Sequence, residues 1–204
     1  MKRFLTVLTL TLLAPSASAV AILGHLSNAA VLPSLMGTDQ DVYVWLTNMT
    51  QGRVVSRAAL KDGTFLLNIP AALALPTRPL DVCSGVTVKP ARVPVYQTET
   101  LVLYNRAHDR LLGPLVQADD PRTPTRIVRW MYSDVAATVQ GRCTGLNTTY
   151  NLKLRKGWNG VMTVSTSGNF HVTNPDRNLP YWLLGDLKLD QASRTLPASF
   201  FRQP

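Results

Sequence analysis

The stretch RVVSRAALKDGTFLLNIP, residues 53–70, decides the fold. Two runs with period-2 alternation, 53–60 and 64–69, flank Lys61-Asp62-Gly63. Asp-Gly readily takes positive φ at both central positions of a two-residue turn, so the stretch predicts an antiparallel hairpin ending at Pro70. Successive side chains of a strand point to opposite faces. Phe65, Leu67 and Ile69 therefore share one face, expected to line a core, while Leu66 takes the other.

The same reading extends in both directions. Toward the N-terminus, 21–26 forms a short strand, followed by a loop through Pro33, Gly37 and Asp39. Val42-Tyr43-Val44-Trp45-Leu46 is apolar on both faces, as a central strand is, and 48–52 turns the chain into the hairpin. Toward the C-terminus, Pro70, Pro76, Pro79, Pro90 and Pro94 forbid a long regular element, leaving room for one helical turn at 71–75. Residues 95–104 alternate as one long strand, and a loop with Pro114, Pro121 and Pro124 precedes a strand at 126–132. Ser133-Asp134 turns into 135–143, and Asn147 marks the next turn. The alternation of 150–155 fits a half-buried edge or surface strand, and Lys156-Gly157-Trp158-Asn159-Gly160 reads as a turn. Residues 161–165 and 170–173 pair across Ser167-Gly168, and short strands at 181–184 and 187–189 close the chain.

After the first nineteen residues no window keeps a helical apolar period for more than two turns. The expectation is an all-β chain folded as an antiparallel β-sandwich, either one sandwich or two small ones joined by the Pro-rich segment. The corresponding division is an N-terminal module at 20–76, a linker at 77–94 and a C-terminal β-rich module at 95–204.

Residues 1–19 read differently. Lys2 and Arg3 precede an apolar run at 4–14, then Pro15, then Ala17-Ser18-Ala19 ahead of Val20. That order is the signature of a secretory signal peptide cleaved after Ala19. Its apolar core is too short to span a bilayer, which takes about 20 residues. The expected location is therefore secreted or periplasmic, with no transmembrane segment once the signal is removed. The full chain carries 21 Lys+Arg against 12 Asp+Glu; loss of Lys2 and Arg3 leaves 19 against 12, or +7. In an oxidising compartment the two cysteines, Cys83 and Cys143, are expected to form a disulfide. They lack the close Cys-x-x-Cys spacing that redox or metal chemistry uses.

Val42 to Leu46, the strand at 53–60, and Asp62-Gly63-Thr64-Phe65 before Pro70 together resemble the carboxypeptidase-regulatory-like, or transthyretin-like, β-sandwich modules of secreted bacterial proteins. The resemblance covers about residues 20–76. It implies a β-sandwich and a non-catalytic accessory role, and it names no ligand. The remaining two thirds has the general look of short secreted bacterial envelope proteins of unknown function.

A basic exported chain favours anionic partners. The densest cationic group is Arg106, Arg110, Arg122, Arg126 and Arg129, which reads either as a solvated face or as an anion site. Trp158, beside Arg155 and Lys156, reads either as an exposed indole for an anionic glycan or protein partner, or as a cap on the sandwich edge. Trp45, Trp130 and Trp182 fall inside apolar strands, where a core role fits better. Raw material for catalysis is thin. His25, His108 and His171 are far apart, Glu99 is the one glutamate, and no Gly-x-Ser-x-Gly elbow accompanies His108-Asp109.

No catalytic residue, metal ligand set or cofactor is therefore assigned. Asp39 with Asp41, and Asp119-Asp120, are loop carboxylates that Ca²⁺ could use, but Asp is equally a common turn residue. No recognition-helix, zinc-finger or RNA-binding signature points to nucleic acid. Asn48-Met49-Thr50 and Asn147-Thr148-Thr149 match the glycosylation sequon, which matters only in a eukaryotic secretory pathway. The sequence points to a non-enzymatic binding protein for an anionic envelope polymer or another envelope protein. The alternative is an extracytoplasmic hydrolase or hydrolase inhibitor acting through loops 105–126 and 174–180.

Overall fold

The computed structural model describes residues 20–33, 41–49, 51–70, 74–98 and 101–184. The segments 1–19, 71–73 and 187–189, together with Gly37, Asp39 and Glu99, lie outside the described residues. The described residues are all-β, apart from a helical turn over residues 29–33 that opens with the 3₁₀ segment Ala29–Val31. The first half runs β1 (Val20–His25), β2 (Val42–Asn48), β3 (Arg53–Ala59), β4 (Thr64–Ile69), β5 (Arg78–Pro79), β6 (Val86–Lys89), β7 (Pro94–Gln97) and β8 (Leu101–Asn105). The second half runs β9 (Arg110–Ala118), β10 (Arg126–Ser133), β11 (Ala137–Arg142), β12 (Thr148–Leu154), β13 (Gly157–Thr166), β14 (Asn169–Thr173) and β15 (Tyr181–Leu183).

The Asp62-Gly63 turn forms as expected, but its two arms do not pair as a hairpin: β3 pairs with β2 in one sheet and β4 with β1 in another, so the turn carries the chain from sheet to sheet. Asp62 and Gly63 both take positive φ, 48° and 73°, and Lys61 and Thr64 exchange backbone bonds of 2.8 and 2.7 Å. Beyond the turn, β4 pairs antiparallel with β1, from Val20 opposite Ile69 to His25 opposite Thr64. Phe65, Leu67 and Ile69 are buried and Leu66 is exposed, as the alternation requires. The Phe65 ring lies across Gly24, filling the space a Cβ there would occupy. This two-stranded sheet covers one face of a larger one, and Ile22, Leu26, Phe65, Leu67 and Ile69 share a core with Val44, Leu46, Leu101, Leu103 and Leu115. β2 is central, between β3 and β8.

The larger sheet runs β3-β2-β8-β9-β10-β13-β14-β12-β11-β6 and is not closed into a barrel. It forks at β9. Leu115 pairs with both Leu101 and Leu183, and Gln117 with both Val128 and Tyr181, so β8 and β10 follow one another along one edge of β9 while β15 takes the other. β10 repeats the device: Ile127 and Val128 pair with β9, Met131 to Ser133 pair with β7, and β13 covers its whole opposite edge.

The fork corrects several expectations. Residues 95–104 are two strands, because the chain changes partners within the sheet between them: β7 pairs with β10, and β8 with β2 and β9. At the crossing Thr98 donates both its N–H and its hydroxyl to the Trp130 carbonyl, at 3.2 and 2.8 Å. The expected loop around Pro114 is the nine-residue strand β9. Pro114 is tolerated because its carbonyl meets the Leu184 N–H just beyond the end of β15, so its missing donor falls where the ladder stops.

β12 is an interior strand between antiparallel β11 and parallel β14, not an edge. The turn expected at 156–160 is confined to Arg155 and Lys156, since β13 starts at Gly157. In the Pro-rich stretch the regular elements are short, and both are paired: β5 with β7, and β6 with β11. Cys83 and Cys143 form the disulfide, with Cα atoms 5.4 Å apart, and staple the approach to β6 onto the end of β11. The backbones come close enough there that a Cβ on Gly85 would lie 2.3 Å from the Arg142 carbonyl oxygen.

Candidate functional site

The five arginines do not form one patch. Arg106 and Arg110 sit at the β8–β9 turn, whereas Arg126 and Arg129 are on β10 and Arg122 lies in the loop before it. Nine residues of β9, roughly 30 Å at about 3.3 Å per residue, separate the two groups. Two of these cations already have acidic partners: Arg106 Nε lies 3.9 Å from Asp41 Oδ2, and Arg126 Nη1 lies 3.8 Å from Asp119 Oδ2. Trp158 is 3 % exposed and lies edge-on to Tyr96 and Tyr132, so its indole is core rather than surface. Gly157, at φ 101°, swings the chain into the strand, and Asn159 holds the crossing by bonding Arg155 N–H and the carbonyls of Arg155 and Gly157.

Asp119 and Asp120 are occupied in shaping their own loop. Asp119 accepts from the N–H groups of Thr125 and Arg126, 2.9 Å each, and from the Thr125 hydroxyl. Burial pushes its carboxyl up, but these bonds outweigh burial and hold it below the usual carboxylate range. Asp120 Oδ1 accepts from Arg122 and Thr123 N–H at 2.8 and 2.7 Å, which lowers its carboxyl as well. Oxygens already engaged by N–H donors make a poor cation cage. Among the described residues no three His, Cys, Asp or Glu side chains gather as a metal site.

His108 lies in the β8–β9 turn and His171 on β14, both exposed and on separate elements. The neighbour of His108, Asp109, takes positive φ and accepts the Tyr104 hydroxyl. Burial, then this bond, pushes the Tyr104 phenol well above its ordinary range. The pair His108-Asp109 is thus built into turn geometry.

Arg129 stands apart. It lines a groove of about 290 Å³ across the β10, β13, β14 and β12 face, with Tyr150, Val161, Thr163 and Val172 on the floor and Asp81 and Gln97 at the rim. The register puts these side chains together: Arg129 faces Val161, Thr163 faces Val172, and Val172 faces Tyr150. No ion pair engages Arg129 among the described residues. The sequence singled out Arg129 by charge, but did not join Tyr150 and Thr163 to it. Their signal is the outward phase of strands whose pairing the fork had hidden. Arg129 and Trp130 also border a second, apolar cavity of about 210 Å³ at the fork, between Pro114 to Gln117 and Ile127 to Trp130.

No protein-family profile, curated protein or solved structure matches this chain.

Proposed function

We propose that the chain is an exported, non-enzymatic binding protein whose ligand is an anionic, hydroxyl-rich polymer of the cell envelope, held in the groove around Arg129. Support for export comes from the signal-peptide pattern of residues 1–19 and from the disulfide. The observation that carries the binding reading is an exposed guanidinium on a rigid sheet, free of any ion pair among the described residues, beside an aromatic ring and hydrogen-bonding side chains. Arg129 supplies the anion contact, Tyr150 a flat apolar surface, and Gln97, Thr163 and Asp81 the hydroxyl contacts. The transthyretin-like resemblance of residues 20–76 fits an accessory role and adds no ligand.

Co-sedimentation with purified anionic cell-wall polymer tests this. Binding is expected at low salt, weakening steeply toward 1 M, where the screening length is about 3 Å. Arg129→Gln should reduce it about tenfold, and Arg106→Gln should leave it unchanged. No retention at low salt, or retention indifferent to salt and to Arg129→Gln, overturns the reading.

A further inference from the structure

The groove does not end at Arg129. We infer that it continues into a second cationic compartment at Arg78, so that the ligand is a chain carrying anionic groups at intervals, with neutral hydroxyl-bearing units between them. This rests on the binding reading above and adds length and charge spacing to it. Register places both arginines on one face of the sheet. Arg129, Met131 and Ser133 alternate along β10; Met131 lies opposite Gln97, Ser133 opposite Val95, and Val95 in turn opposite Arg78 on β5. Residues opposite each other share a face. The Gln97 side chain accordingly reaches Met131, with Nε2 at 3.8 Å from Sδ.

The compartment at Arg78 is a hollow of about 360 Å³, walled by Arg78, Asn48, Gln51 and Gln97. Asn48 is locked in place: its Oδ1 accepts the Gln51 N–H at 3.0 Å, and its Nδ2 donates to the Gln97 carbonyl at 3.5 Å. Arg78 is exposed, and no ion pair engages it among the described residues.

Gln97 and Asp81 border both compartments. Leu80 and Val82 pack onto the cluster that holds Val95 and Met131, which leaves Asp81 exposed at the crest between them. Four residues along β10 and two strand spacings across to β5 set the Arg129 and Arg78 Cα atoms on the order of 16 Å apart. A polymer charged at every unit sets an anion against the Asp81 carboxylate, whereas a hydroxyl there donates to it. Like-charge contact is a means of rejecting a wrong partner, so the cleft selects spaced charges. Two contacts on one chain reinforce each other, because the second forms inside a complex the first has made.

Titration calorimetry at low salt tests this with the purified anionic cell-wall polymer and with single-repeat fragments from its partial hydrolysis. The polymer should bind at least about tenfold tighter per repeat than the fragment. Arg78→Gln should weaken the polymer at least about tenfold and the fragment no more than about twofold, with thermal melting unchanged because the side chain is exposed. Arg78→Lys, which keeps the charge, should keep most of the polymer affinity. Asp81→Asn should strengthen the binding of inorganic polyphosphate, charged at every unit, at least about threefold. A polymer held through Arg129 but indifferent to Arg78→Gln overturns this inference alone, as does a fragment that binds as tightly as the polymer, or a polyphosphate affinity that Asp81→Asn leaves unchanged. No polymer binding, or binding indifferent to Arg129→Gln, overturns the reading beneath it and the inference with it.

Discussion

The strands of residues 20–69 and the forked region of residues 95–184 solve the same problem in different ways. In the first, each strand keeps its partners along its length, and Ile22, Leu26, Phe65, Leu67 and Ile69 bury against Val44 and Leu46 with little polar company. In the second, strands change partners midway, and buried polar groups fill the joints: Gln117, Ser133 and Asn159 are all under a tenth exposed. Burial alone can hold a strand with constant neighbours. A strand that switches needs directional bonds where one ladder stops and the next begins.

Truncating the apolar region should be the costliest way to break this contrast. Phe65 is 2 % exposed, lies across Gly24 and meets Tyr181 edge-on at a centroid distance of 5.1 Å. Phe65→Ala is expected to lose about 3–5 kcal/mol in urea unfolding, since neighbouring strands cannot close the gap. A loss under about 1 kcal/mol would mean that the β1–β4 layer contributes little to the core.

The disulfide comes next, and it ties the Pro-rich stretch at Cys83 to the second region at Cys143. It closes a loop of 60 residues, worth up to ~4 kcal/mol in the chain-entropy model. The Cys83→Ala, Cys143→Ala double variant should lose about 2–4 kcal/mol. Amide exchange should rise first in β6, whose ladder is its antiparallel pairing with β11. Uniform exchange across the molecule would show that the staple acts on the whole chain rather than on this edge.

Legibility follows the same division. The Asp62-Gly63 turn, the 64–69 alternation and the central place of 42–46 are local patterns, and local patterns survive folding intact. The Cys83–Cys143 pairing was legible for a different reason, since two cysteines allow one connectivity. The break after β7 was not, because 95–104 alternates without interruption and only the partners change. Pro114 disguised β9, since the position of a missing donor relative to the end of β15 is a tertiary fact. Trp158 looked like a turn residue because polar neighbours surround it in sequence, whereas its place is fixed by Tyr132 across the ladder. For the groove, charge pointed to Arg129, but its floor of Val161, Thr163, Val172 and Tyr150 needed the pairing of three further strands.

The smallest expected effect is also the most specific to the fork. Tyr181 is fully buried; its hydroxyl donates to Gln117 Oε1 at 2.9 Å and accepts from Trp130 Nε1 at 3.4 Å. Gln117 in turn donates to Asn178 Oδ1 and the Leu179 carbonyl, both at 3.1 Å, tying β9 to the chain entering β15. Tyr181→Phe keeps the ring and strands these polar groups, so about 1–2 kcal/mol should be lost at neutral pH.

The pH dependence then separates a lost bond from lost packing. Burial pushes the Tyr181 phenol up to about 12, outweighing the opposing Trp130 bond, while in the unfolded chain it titrates near its ordinary 10.0. Between those values the unfolded state releases its proton first, so the Tyr181 contribution is complete below about pH 10 and is lost as pH rises toward 12. Tyr181→Phe should therefore flatten the alkaline decline of stability between pH 10 and 12, leaving the share that Tyr104 carries. An unchanged alkaline slope would place the Tyr181 hydroxyl in water, and the joint between β9 and β15 would then rest on packing, as the strands of residues 20–69 do.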